Sequence, residues 1–139
     1  MKPRNSFLLI AALLLYPLLA NATLLVTVSR PKLTGSRAVV KLNMKNTFNE
    51  NVESARAVVF LLDAQGKMVG QSTKWVIGGS PSKPGLSADG TNTFHFVITS
   101  EKPFASTNLT AKVSFSRVIL EGGKLADVRK DVVVQPAQR

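Results

Sequence analysis

The chain has 139 residues, a formal net charge of +10 and no cysteine, which excludes thiol catalysis, zinc–thiolate sites, iron–sulfur clusters and disulfides. A single domain of this length buries roughly two-thirds of the surface that its unfolded chain exposes, and the 45% hydrophobic content can supply its core. The excess of Lys and Arg favours anionic partners such as acidic glycans, phospholipid head groups or nucleic acid.

The first 22 residues have the order of a secretory signal peptide. Lys2 and Arg4 precede an apolar stretch at positions 7–19, and Ala20-Asn21-Ala22 places small residues where a signal peptidase cleaves. The apolar stretch is shorter than the roughly 20 residues that a membrane-spanning helix needs. We therefore expect residues 1–22 to be removed and the protein to be exported to the periplasm or beyond, not to be an integral membrane protein.

Seven segments with β-type patterns follow, and no segment has a convincing helical pattern. The alternation is clearest in RAVVKLNMKN, which places Val40, Leu42 and Met44 on one face. The Pro-, Gly- and Ser-rich stretch Ser80–Gly90 interrupts the series and predicts a long loop. In chain order the seven segments begin TLLVTV, RAVVKL, ARAVVF, KMVGQS, TNTFHF, LTAKVS and VRKDVV.

These segments predict one all-β domain over residues 23–135, followed by a disordered tail at 136–139. Their number and their spacing by turn signals are those of a seven-stranded antiparallel β-sandwich. No internal repeat at a fixed period is present.

Three stretches resemble a known group of domains: VVFLLDAQGKMVG, LSADGTNTFHF and AKVSFSRV. They look like the small exported bacterial immunoglobulin-like or fibronectin type III-like domains, including those called FxLYD. In that family a strand ending in Leu-Tyr-Asp meets a Gly-Lys turn, and a later Pro-Gly or Asp-Gly turn precedes a Phe-rich strand. Here Leu61-Leu62-Asp63 stands in place of Leu-Tyr-Asp, and Val59 stands in place of the family's Phe.

The resemblance covers about residues 37–120 and implies an immunoglobulin-like (fibronectin type III-like) fold. Members of this group are mostly non-catalytic. The shared motifs describe hairpins and not a site, so the resemblance implies no functional residues.

Asp63 and His95 are the side chains that first suggest chemistry. Asp63-Ala64-Gln65-Gly66 has Asp at the first and Gly at the fourth position of a type I turn, which favours a hairpin corner over a metal or catalytic role. His95 is the only histidine, and it alternates with Phe94 and Phe96, so we expect it to face solvent. With no nucleophile motif and scattered carboxylates, we predict no catalytic, cofactor-binding or metal-binding residues.

Two features could form a binding surface. The strand at 55–62 is apolar on both faces, so Val58, Phe60 and Leu62 form either a partner surface or a face covered by the loop at 80–90. Lys74 and Trp75 place a cation beside an aromatic ring, which is typical of an anchor for a sugar or a protein. The alternative for Trp75 is a place in the core, because Val76 and Ile77 follow it.

The sequence therefore predicts a non-catalytic exported module that binds another envelope or secreted protein. The alternative is a binder of anionic envelope polymers that uses the basic residues within the predicted strands. Those residues could equally serve to protect exposed sheet edges from aggregation. Nucleic acid is disfavoured because the aromatic residues do not alternate with basic ones on one exposed face.

Overall fold

The computed structural model describes residues 22–137, which form eight β-strands and one 3-10 turn. The predicted signal peptide lies outside these residues except for Ala22. Within residues 22–137 no helix is long and apolar enough to cross a membrane. The strands are β1 (Leu24–Val28), β2 (Lys32–Thr34), β3 (Arg37–Asn46), β4 (Val52–Leu62), β5 (Met68–Ile77), β6 (Thr91–Thr99), β7 (Thr110–Leu120) and β8 (Val132–Pro136), and the 3-10 turn is Glu121–Gly123.

Five strands form one mixed sheet around β3. The antiparallel partner β6 runs along one edge of β3, and β1 and β2 pair with opposite ends of its other edge. β8 then pairs in parallel with β1 and becomes an edge strand of the sheet.

The remaining three strands form an antiparallel sheet in the order β5-β4-β7. In β4, residues at alternate positions are fully buried, among them Ala57, Val59 and Leu61. The intervening residues therefore point to the outer side of the sheet, because successive side chains of a strand face opposite ways.

The inner faces of the two sheets pack against each other in a sandwich-like arrangement and form a single apolar core. Alternating burial in β3 and β6 matches the alternation of apolar residues in their sequences. The largest side chains with almost no exposure are Phe96, Leu24, Leu42, Met44, Leu61 and Ile77.

The all-β prediction is confirmed, but the predicted seven antiparallel strands are not what the structure contains. The described chain has eight strands, because Gly35 at φ 62° lets Lys32–Thr34 fold back on β3 after Pro31 ends the first extended segment. The sheet is mixed because β8 runs parallel to β1, after the chain has passed from β7 to the opposite sheet. Just before β8 begins, Asp131 O accepts a hydrogen bond from the Leu24 N–H at 2.8 Å.

The predicted tail at 136–139 also begins inside the sheet. β8 extends through Pro136, and the Ala137 N–H donates to Val28 O at 2.8 Å. The last two residues lie outside the described part of the chain.

Candidate binding surfaces

Asp63 is the corner of the hairpin that joins β4 to β5. Its carboxylate Oδ1 accepts hydrogen bonds from the backbone N–H groups of Gln65 and Lys67, both at 2.9 Å. The Gly66 N–H donates to Asp63 O at 3.0 Å, and Gly66 adopts φ 80°. The carboxylate is therefore used by the turn itself, and the hairpin interpretation is confirmed.

His95 lies where its alternation with the phenylalanines predicts. It is exposed on the outer face of the five-stranded sheet and pairs in register with Lys41. Phe96 is fully buried on the other face. In the part of the chain that the structure describes, no group of three or more His, Asp or Glu residues could hold a metal ion.

Three carboxylates near one end of the sandwich are occupied by structural contacts. Glu50 forms an ion pair with Lys124 at 2.9 Å. Glu53 accepts from the Gly122 N–H at 3.2 Å, and Glu121 accepts from the Asn51 N–H at 2.8 Å. These contacts tie the loop after β3 and the start of β4 to the segment that follows β7.

Val58, Phe60 and Leu62 form an apolar stripe along the middle strand of the three-stranded sheet, on its outer face. All three side chains are half-buried. Phe60 stands between Gln71 of β5 and Lys112 of β7 in the register of the sheet. Residues directly opposite each other share a face in an antiparallel sheet, so polar side chains flank Phe60 on both sides, whereas Leu62 has Met68 on one side and Thr110 on the other.

The loop at 80–90 does not lie against this stripe. Its Leu86 forms a bridge with Val52 at the start of β4, and the Ala88 N–H donates to Asn51 Oδ1 at 3.2 Å. The Asp89 N–H donates to Asn46 O at 2.8 Å. The loop is thus attached at the end of the sandwich, several residues before Phe60 in the strand.

Trp75 and Lys74 do not form one site, because they point to opposite sides of the sheet. Lys74 pairs with Ala57, whose side chain is on the inner face, whereas Trp75 pairs with Arg56 on the outer face. A bulge follows the Arg56–Trp75 pair and separates it from the Ala55–Ile77 pair. Trp75 is half-buried and outside the core, with the Arg56 guanidinium carbon 6.0 Å from its ring centre.

Lys83 has a role that the sequence does not reveal. Its ammonium donates to Trp75 O at 2.6 Å and lies 4.5 Å from the centre of the Phe94 ring. Trp75 belongs to one sheet and Phe94 to the other. Lys83 therefore connects the two sheets at one side of the sandwich and is engaged in a structural contact.

Asn46 is a second residue that no pattern in the sequence singles out. Within residues 22–137 it is the one fully buried polar side chain. Its Nδ2 donates to Glu50 O at 2.9 Å and to Leu86 O at 3.0 Å, and its Oδ1 accepts from the Phe48 N–H at 2.9 Å. Asn46 thereby fixes two loops at the end of the sandwich.

The outer face of the five-stranded sheet carries a shallow basic cleft of about 660 Å³. Lys41 and His95 are directly opposite each other, and Lys32 is opposite Val39 on the neighbouring strand. No acidic side chain lines the cleft among the described residues. Its lining consists of Ser29, Arg30, Lys32, Thr34, Arg37, Val39, Lys41 and His95.

Comparison with known proteins supports the fold and gives no family. No family model matches the chain, and no curated protein matches it. A solved structure described as "X-ray structure of Northeast Structural Genomics Consortium target SoR45" is similar, with a TM-score of 0.54 and 11% identity. The match covers 76% of this chain and 80% of that chain. At this identity the likeness concerns the fold alone, and the class it defines is an all-β protein of two facing sheets.

Proposed function

We propose that this protein is a non-catalytic, exported β-sandwich module of immunoglobulin-like or fibronectin type III-like type that binds another protein of the cell envelope. The observation that carries the proposal is the apolar stripe of Val58, Phe60 and Leu62 on the outer face of the three-stranded sheet. A sandwich needs to bury only the inner face of each sheet, so the core alone does not require three large apolar residues there.

The charges around the stripe indicate the chemistry of its partner. Arg56 and Arg117 are opposite each other at one end of the stripe, and Lys112 is opposite Phe60. An apolar centre with a polar rim is the usual organisation of a protein interface. The partner surface that fits is therefore apolar at its centre and acidic at its rim.

A substitution pair tests this assignment by co-purification from an envelope extract. Phe60→Asp places a charge in the middle of the stripe, whereas Val97→Asp makes the same kind of change on the outer face of the opposite sheet, where Val97 is 39% exposed. We expect a discrete envelope protein to co-purify with the wild type and with Val97→Asp, but not with Phe60→Asp. Equal recovery by both variants would overturn the assignment.

The basic cleft supports a second candidate function, the binding of an anionic envelope polymer. Arg30, Lys32, Arg37 and Lys41 converge there, and hydroxyl groups of Ser29 and Thr34 lie among them. Exposed charges of this kind attract a polyanion mainly through long-range electrostatics. Dissolved salt weakens this attraction, because the screening length is about 8 Å at physiological ionic strength.

Binding of a sulfated polysaccharide such as heparin is the corresponding test. We expect its affinity to fall by about tenfold or more between low and moderate salt, as screening of exposed charges requires. Lys41→Gln should weaken binding, whereas Lys67→Gln in the distant β4–β5 turn should leave it almost unchanged. Affinity that is insensitive to salt, or equally lowered by both substitutions, would refute this second function.

A further inference from the structure

One side of the sandwich is closed and the opposite side is open. On the closed side, β5 approaches β6 so tightly that a β-carbon at Gly70 would lie 3.2 Å from Ile98 Cγ2. Lys83 adds its contacts to Trp75 and Phe94 on that side. On the other side, the edge strands β7 and β8 belong to different sheets and are not hydrogen-bonded neighbours.

Three inner-facing residues of these two edge strands are incompletely buried, although Phe115 further along β7 is buried. Val134 pairs with the fully buried Val26 and therefore faces inward, yet it remains 40% exposed. Ala111 and Val113 of β7 pair with the fully buried Leu61 and Val59, yet both are only half-buried. Among residues 22–137, the core is thus left partly exposed between β7 and β8.

The space between the two strands is a cleft of about 1000 Å³. Apolar and polar side chains share its lining. Val28, Leu62 and Leu109 join the inward-facing residues of β7 and β8, and Ser29, Thr107, Asn108, Thr110 and Gln135 lie among them. Arg30 and Lys112 also line it, and no acidic side chain does so among the described residues. A lysine on an edge strand discourages indiscriminate pairing with other strands. Lys112 also gives the cleft a positive charge that a partner must complement.

We infer that this cleft accepts an extended segment of a partner polypeptide, which adds as a strand along β7. An edge strand presents alternate backbone N–H and C=O groups that are free to pair with another chain. The segment that fits has apolar residues at alternate positions, which would cover Ala111, Val113 and Val134, and carries acidic residues near Arg30 and Lys112. A stretch of five residues matches the length of β8 and spans about 17 Å.

This site differs from the proposed docking stripe, although Leu62 and Lys112 border both. The stripe binds through side chains on the outer face of a sheet, whereas the cleft binds through backbone pairing at its edge. Phe60→Asp is therefore expected to abolish docking on the stripe and to leave strand addition intact, which keeps failure of one proposal distinguishable from failure of the other.

Amide hydrogen exchange of the full chain with a synthetic peptide tests the inference. The probe is a seven-residue acetylated peptide in which valine and threonine alternate between two terminal glutamates. We expect it to slow exchange at least tenfold in the segments 110–116 and 132–136, and to leave the edge of β5 unaffected. The same peptide with alternate amides N-methylated lacks the N–H donors and should protect neither segment.

Neighbouring valines on β8 supply a matched pair of variants. Val134→Glu introduces an acid into the cleft and should weaken binding of the acidic peptide at least tenfold. Val133→Glu should not, because Val133 is 41% exposed but pairs with Leu25 on the outer face and does not line the cleft. Lys112→Glu should reverse the charge preference of the cleft, so that a peptide with terminal lysines binds better than one with terminal glutamates.

Four outcomes would overturn the inference. The first is unchanged exchange in β7 and β8 at millimolar peptide, and the second is equal protection by the N-methylated peptide. The third is protection of the same amides by rising protein concentration without peptide, which would make a second copy of this chain the occupant. A loss of binding in Val133→Glu equal to that in Val134→Glu would likewise remove the cleft as its location.

Discussion

Gly66 and Gly79 both adopt positive φ, but their surroundings differ. Nothing lies within 4 Å of a β-carbon built on Gly66, whereas one on Gly79 would lie 2.5 Å from Trp75 Cγ. Gly66→Ala should therefore cost only the left-handed backbone conformation, about 1–2 kcal/mol of unfolding free energy. Gly79→Ala should cost more and should also move Trp75.

Urea unfolding measures the loss of unfolding free energy in both variants. Tryptophan fluorescence reports any movement of Trp75, because the chain has one tryptophan. The emission maximum of the folded protein should shift in Gly79→Ala and not in Gly66→Ala. The opposite pattern would show that Trp75 does not pack on Gly79.

Asn46 should matter more for stability than the turn residue Asp63. Asn46→Ala leaves the buried Phe48 N–H without its acceptor, which costs about 1–3 kcal/mol for that group alone. Asp63→Ala also removes an acceptor, but solvent can reach the exposed turn, so we expect a loss of about 1 kcal/mol. Thermal or urea unfolding that ranked the two in reverse would contradict the role given to Asn46.

The two residues also show which contacts a sequence can reveal. Asp63 and Gly66 are three positions apart, and their turn depends only on local backbone geometry, so the spacing predicts it. Asn46 binds Leu86, 40 residues further along the chain, and no local pattern encodes that contact. The Lys83 contact with Phe94 depends in the same way on how the two sheets pack.

At the level of the strand, β4 offers a comparison between adjacent valines on opposite faces. Val59 is fully buried on the inner face, and Val58 is half-buried on the outer face. Val59→Ala should lower the unfolding free energy by about 2 kcal/mol, through lost apolar burial and the cavity left behind. We expect Val58→Ala to cost less than half of that value, as measured by urea unfolding.

The alternation within each strand is a property of the sequence, which is why the strand positions and inner faces were largely predictable. The order of strands in a sheet depends on long-range pairing. The parallel pairing of β8 with β1 could not be predicted, because both strands are short, apolar and equally able to pair with other edges. The exposed seam between β7 and β8 follows from that pairing and was missed for the same reason.

For the whole molecule, the two candidate functions lie on opposite outer faces and should be independent. Sites separated by a sandwich share no contacts, so effects of substitutions on them should be additive. Phe60→Asp should leave heparin binding unchanged, and Lys41→Gln should leave protein co-purification unchanged. If each variant lost both heparin binding and protein co-purification, with folding verified by circular dichroism, the two faces would not be independent.

Composition predicts the fold class of the whole molecule better than it predicts where charged residues lie on its surface. The absence of cysteine and the dense β-type patterns indicate an apolar all-β core, which the structure contains. The net charge of +10 does not indicate where the cations gather. That arrangement arises from strand pairing, which brings Lys32, Lys41 and His95 to one face.

Site-specific photocrosslinking in living cells tests the central claim most directly. A photoreactive phenylalanine analogue at position 60 replaces a side chain of similar shape in the middle of the stripe, and the same analogue at position 97 is the control on the opposite face. We predict a discrete crosslink to one envelope protein from position 60 and none to that protein from position 97. No crosslink from position 60, or the same products from both positions, would contradict the docking function.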